Sequence, residues 1–218
     1  MSENHALRRT AGSSGRPRPR SGADHRTRHS DPASISIYRS FICGPCVAPG
    51  ASAPLRDPNV IYNFHFYEPH IFTHQGATWG SYFWQWVKGL RYPSSPESAA
   101  KVAAGVPDAV DRLAVIRYGA DHWDAARIDA EIAQVWEWGR QRGVPVVCNE
   151  FGVYRVFADP HDREAWIHDV RTSLERHGMG WTMWDYSGSF GVVTKKDGRS
   201  TPDEITLRAL GLNQKSGK

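Results

Sequence analysis

The chain has 218 residues, 40% of them hydrophobic and 11% aromatic, which is enough for one globular domain with a tail and excludes a wholly disordered protein. Residues 1–57 hold nine Lys and Arg against four Asp and Glu, so the remaining 18 basic and 19 acidic residues nearly cancel. The net charge of +4 therefore belongs to the N-terminal stretch and gives no reason to expect a nucleic-acid-binding surface on the folded part. No run of ~18 apolar residues exists to suggest a transmembrane helix, and the arginines near the N-terminus are not followed by the apolar stretch of a signal peptide.

Residues 1–50 are rich in Arg, Pro, Ser and Gly with no hydrophobic period, and are expected to form a disordered basic tail. Within them, ISIYRSFI (residues 35–42) reads as a short strand. Cys43 and Cys46 form CGPC, the spacing of a redox dithiol. That chemistry needs a helix behind the cysteines to lower a thiol pKa, and the following VAPGASAP contains the residues that prevent one. Three cysteines give no disulfide framework.

The first convincing element is NVIYNFHFY (residues 59–67), rich in β-branched and aromatic residues and bounded by Pro58 and Pro69. A long connection, residues 68–124, follows; a connection of this length carries function or small helices of its own. WDAARIDAEIAQVWEWGRQRG predicts a helix with Ile128, Ile132, Val135 and Trp136 at helical spacing and Gly143 as its stop. Then come a strand over VPVVCNE, a helix over residues 162–178 with Trp166, Val170 and Leu174 on one face, a strand over GWTMWDY, and a last short helix over PDEITLRALGL. Residues 213–218 form a C-terminal tail. Strands alternating with helices require a parallel sheet with crossover helices, so the class is α/β.

In such sheets ligands meet the carboxyl ends of the strands. Period-two alternation groups Asn63, His65 and Tyr67 on one face of the first strand, and Tyr62, Phe64 and Phe66 on the other. The same rule groups Val144, Val146, Cys148 and Glu150 on the second strand, and Thr182 with Trp184 on the third. His65 and Tyr67, Glu150 and Trp184 are thus expected at one rim. Taken singly, each has a blander role: a satisfied core histidine, a solvated strand-end carboxylate, a packing indole. A common rim is what an active site requires and what independent structural roles do not. A metal cluster of His65, Glu68, His70 and His74 fits no familiar ligand spacing, and Pro69 interrupts it. No cofactor motif is present, and none is expected.

Together, NFHFYEPHIFTHQGATW, VPVVCNEFGVYR and GWTMWDYSGSFGVV resemble, in this order, the carboxyl-terminal half of glycoside hydrolase family 5, the (β/α)8 TIM-barrel cellulases and related β-glycanases. The resemblance runs from about Asp57 to Leu212, so residues 51–212 are read as a partial catalytic domain. It implies that His65 and Tyr67 stand on the sixth barrel strand, that Glu150 ends the seventh as the catalytic nucleophile, and that Trp184 on the eighth is a sugar platform. His65, Tyr67 and Trp184 would then be substrate-binding, with Trp79, Trp84 and Trp86 either adding subsites or packing. The implied reaction is retaining hydrolysis of a β-1,4-linked glucan or related β-glycan, with no nucleic-acid or membrane partner. Family members are commonly exported.

One departure stands beside the match. The family's acid/base glutamate belongs to an Asn-Glu pair on the fourth strand, and no such pair precedes His65; Glu3 is the only glutamate before Glu68. A complete barrel takes about 250 residues, whereas Asp57 to Leu212 is 156. The expectation is an incomplete barrel, roughly strands six to eight with their helices, preceded by a misassigned start, and a weak or inactive hydrolase. A non-catalytic carbohydrate-binding protein using the same residues is the alternative.

Overall fold

The computed structural model describes the backbone of residues 36–42 and the whole of residues 55–212. The basic tail other than residues 36–42, the Cys43–Cys46 motif and the C-terminal tail lie outside the described residues. The main sheet has four parallel strands in sequential order: β1 (Ser36–Ile42), β2 (Val60–Phe66), β3 (Val146–Phe151) and β4 (Gly180–Trp181). Parallel neighbours in chain order, with crossover segments between them, are the winding of a (β/α) barrel.

Two helices cover the outer face of this sheet. Helix α4 (Ala125–Arg142) starts on Asp124, whose side chain accepts from the Arg127 amide, and stops at Gly143, whose φ of 62° few other residues adopt comfortably. Helix α5 (Pro160–Arg176) starts two residues before its expected position because Asp159 caps it and Pro160 fits its first turn. Ile128 and Ile132 of α4 and Trp166, Val170 and Leu174 of α5 are fully buried, as their spacing predicts. They meet Phe64, Phe66, Cys148 and Phe151 from the sheet in one core, with the Phe66 ring stacked on Trp166 at 6.0 Å.

The connection after β2 carries helices of its own: α1 (His70–Thr73), a 3-10 turn (Tyr82–Trp86), α2 (Pro96–Ala103) and α3 (Ala109–Ala120). Fully buried Gln75 holds it down, its amide accepting from the Leu90 N–H and donating to the carbonyls of Phe72 and Leu90. After β4 come an antiparallel hairpin of β5 (Val193–Lys196) and β6 (Arg199–Pro202) and a final helix, α6 (Glu204–Ala209). The hairpin is absent from the sequence reading, although its turn, Asp197-Gly198 with both φ angles positive, is a recognised hairpin signal.

Two strand expectations need correcting. Val146, Cys148 and Glu150 do not share a face. Phe64 pairs with Cys148, but His65 pairs with Glu150 and Phe66 with Phe151, so one extra residue, Asn149, bulges from β3. Val146 and Cys148 face the helices and Glu150 the opposite side, because a bulge reverses the alternation beyond it. The third strand is also shorter than residues 180–186. Only Gly180–Trp181 form a regular ladder; beyond them, isolated bonds from Thr182 N to Cys148 O and from Trp184 N to Phe151 O follow β3 past its bulge.

Candidate active site

At the carboxyl end of β2, Phe64 and Phe66 point into the helix layer, which leaves His65 and Tyr67 on the inner face. The β3 bulge turns Glu150 to the same side, directly beside His65. The result is a convergence on one oxygen. The Tyr67 hydroxyl donates to Glu150 Oε2 at 3.2 Å, and His65 Nδ1 lies 3.2 Å from that same Oε2. Glu150 Oε1 is the oxygen that neither partner occupies.

Burial, reinforced by the Glu150 charge and by the hydrogen bond to it, pushes the Tyr67 phenol well above its ordinary 10.0. The phenol therefore keeps its proton and serves as a fixed donor to the carboxylate. Its backbone is anchored as well, since Thr73 Oγ1 donates to the Tyr67 carbonyl at 2.6 Å. Beneath it, His74 packs against Tyr67, Trp84 and Phe190. Burial, with a smaller contribution from neighbouring His70, lowers the His74 pKa to about 4 and keeps the ring neutral.

Trp184 is placed by its backbone. Its N–H donates to the carbonyl of Phe151, the residue after Glu150, while the residue as a whole is 48% exposed. Gly152 makes this approach possible, because a Cβ there would lie 2.6 Å from the Trp184 carbonyl oxygen. Trp79 is exposed and edge-on to Tyr154, Trp86 is exposed, and Trp84 is packed against His70 and His74. Of the residues of the metal reading, His65 goes to Glu150, while Glu68, His70 and His74 remain neighbours, with His70 Nδ1 3.1 Å from Glu68 Oε1 and the two imidazole rings stacked at 5.2 Å. Sequence reasoning missed Asp185, which adds to the field on Tyr67, and Arg155, which binds the carbonyls of Gly188, Ser189 and Gly191 behind Trp184. Neither carries a periodic signal.

A parallel sheet with helices on one face, and with a carboxylate, imidazole and phenol gathered at its C-terminal rim, is the architecture of a (β/α)-barrel domain with one oriented carboxylate at its ligand-facing end. The family model described as Cellulase (glycosyl hydrolase family 5) matches residues 46–189, and the chain belongs to that family. It is 26% identical over 166 residues to Endoglucanase 3 of Fibrobacter succinogenes, covering 74% of this chain and 24% of the relative. Against Endoglucanase C of Acetivibrio thermocellus it is 26% identical over 153 residues, covering 70% and 43% respectively. The structure is similar to Thermotoga maritima Cel5A, solved in complex with cellobiose, with a TM-score of 0.56 and 26% identity over 77% of this chain and 44% of that one. The chain thus spans less than half the length of each of these relatives.

Proposed function

We propose that the chain carries the nucleophile side of a retaining β-glycan hydrolase of endoglucanase type, with a β-1,4-linked glucan as substrate. The observation that carries this reading is the convergence of Tyr67 and His65 on a single oxygen of Glu150. A carboxylate oriented in this way attacks the anomeric carbon through its free oxygen; the glycosidic C–O bond breaks, a glycosyl ester forms on Glu150, and water later hydrolyses it. Tyr67 orients the attacker and stabilises its charge, His65 flanks the sugar, and the open face of Trp184 stacks on a pyranose ring. The leaving oxygen needs a proton from a second carboxylic acid about 5 Å from the first. With no Asn-Glu pair ahead of His65, unactivated glucan is expected to turn over weakly on this chain.

An aryl 2-deoxy-2-fluoro-β-cellobioside with a dinitrophenolate leaving group tests the proposal, because that leaving group departs without protonation. Mass spectrometry of the digested protein should find the fluorosugar on Glu150, and Glu150→Gln should abolish it. Cellobiose binding without any covalent label would favour the non-catalytic carbohydrate-binding alternative.

A further inference from the structure

Tyr67 and Glu68 are consecutive at the end of β2 and serve different spaces. Tyr67 turns inward to Glu150, whereas Glu68 lines a separate cleft of about 300 Å³ between that strand end and α3. Phe83 and Trp84 from the 3-10 turn and Arg117 and Asp121 from the end of α3 line it, with His70 beside Glu68. The volume is that of a small ligand site, and the lining combines aromatic surface with convergent polar groups, as such sites do. The polar groups are also available. Arg117 and Asp121 form only a loose pair at 3.6 Å, with their side chains 81% and 41% exposed, and Glu68 is held by His70, whose ring Nδ1 lies 3.1 Å from Oε1 and whose backbone N–H donates to Oε2 at 3.4 Å.

We propose that this cleft is a second carbohydrate subsite that takes a single-sugar branch of the glycan bound at Glu150. A neutral sugar ring suits the lining, because its C–H face lies on indole and phenyl surface while its hydroxyls donate to carboxylates and accept from a guanidinium. The position of the cleft selects a branch over a main-chain unit. Glu68 follows Tyr67 by one residue and so faces the helix side of the rim, opposite the inner face that carries Glu150, and the His70 and His74 rings stand between Tyr67 and Trp84. The His70 ring is 6.1 Å from that of Tyr67 and 5.9 Å from that of Trp84. The ligand class rests on the glycan reading of the Glu150 site; the location rests on the cleft itself.

Calorimetric titration of the full chain with cellotetraose, and with a cellotetraose backbone bearing single-sugar branches, tests the inference. One hydrogen bond from a sugar hydroxyl to a charged group corresponds to about tenfold in affinity, so the branched ligand should bind tighter by about that factor. The double variant Arg117→Ala/Asp121→Asn, confined to solvent-exposed side chains, should erase the preference and leave cellotetraose affinity unchanged. Trp184→Ala should weaken both ligands alike. Equal affinities in the parent chain, a preference that survives the double variant, or no binding of either ligand would overturn the inference. Covalent labelling of Glu150 without a branch preference would sink the cleft alone and leave the proposed function standing.

Discussion

The Tyr67 hydroxyl donates to Glu150 Oε2 at 3.2 Å across two strands, and the bulge at Asn149 is what lets the two meet. Without the extra residue, Glu150 would fall on the face of Cys148 and point into the helices. The same contact has a consequence at high pH.

Burial raises the phenols of Tyr67, Tyr92 and Tyr118 above their ordinary 10.0, with Glu150, Asp169 and Asp162 respectively adding to the effect. In the unfolded chain these tyrosines lose protons near pH 10, whereas in the folded chain they keep them. Unfolding then releases protons, so the stability these groups provide is complete below about pH 10 and declines above it, by about 1.4 kcal/mol per pH unit for each phenol. Urea midpoints should hold level to about pH 10 and then fall. Tyr67→Phe should make the fall shallower by one proton. A parent midpoint that is flat to pH 11.5 would contradict the assignment.

Gly152→Ala should damage the site without touching the side chains of Glu150, Tyr67 or His65. The added methyl group would lie 2.6 Å from the Trp184 carbonyl oxygen and 3.3 Å from the Phe190 ring, and the first neighbour is backbone that cannot swing aside. Overpacking of this kind costs about 1–3 kcal/mol. The expected outcome is a lower denaturant midpoint together with weaker cellobiose binding, because the strand carrying Trp184 must retreat. Parent-like values for both quantities would refute the close approach.

Arg155 should act as a clamp on the segment behind Trp184. Its side chain, 17% exposed, pairs with Asp203 at 3.1 Å and donates to the carbonyls of Gly188, Ser189 and Gly191 and to Thr194 Oγ1. A lysine cannot reproduce this fork of donors. Arg155→Lys and Arg155→Met should both destabilise by about 2–4 kcal/mol, through unpaired carbonyls and the loss of one of the two arginines bound to Asp203. Amide hydrogen exchange over residues 185–191 should accelerate beyond the change seen in α4. Uniform acceleration across the chain would mean that Arg155 supports the whole fold and has no particular hold on this loop.

How far the site could be read before the structure depended on whether a local pattern set each position. Period two placed Phe64 and Phe66 against the helices and His65 and Tyr67 inside, and the helical faces of Ile128, Trp166 and Leu174 were equally legible. The same rule fails on β3, because nothing in VPVVCNE marks the bulge; Glu150 lies beside His65 at the strand end, but on the face opposite Cys148. Trp84 and Trp184 look alike in sequence, yet one is packed against two histidines and the other is open, a difference made by residues distant in the chain. The pairing of Tyr67 with His74 and the grip of Arg155 on residues 188–191 are tertiary in the same sense. Asp197-Gly198, by contrast, was a readable turn signal that the strand pattern around it was too polar to support.

His74 should make the domain acid-sensitive above the range where carboxylates titrate. Its ring is buried among Tyr67, Trp84 and Phe190, and its pKa falls from 6.5 to about 4. Between those values the unfolded chain binds a proton that the folded chain refuses. Stability is therefore complete above about pH 6.5 and is lost as pH falls toward 4, by up to about 3 kcal/mol for a shift of this size. The neighbouring His70 ring, paired with Glu68, adds to the opposition that burial sets against a charge on His74. His74→Gln keeps a polar side chain beside Thr73 Oγ1, where His74 Nδ1 now lies at 2.9 Å, and cannot take up the proton. The variant should be less stable than the parent at pH 7.5 and should lose less on going to pH 4.5, so that the two urea-midpoint curves converge. Parallel curves over that interval would show that His74 is not the group responsible.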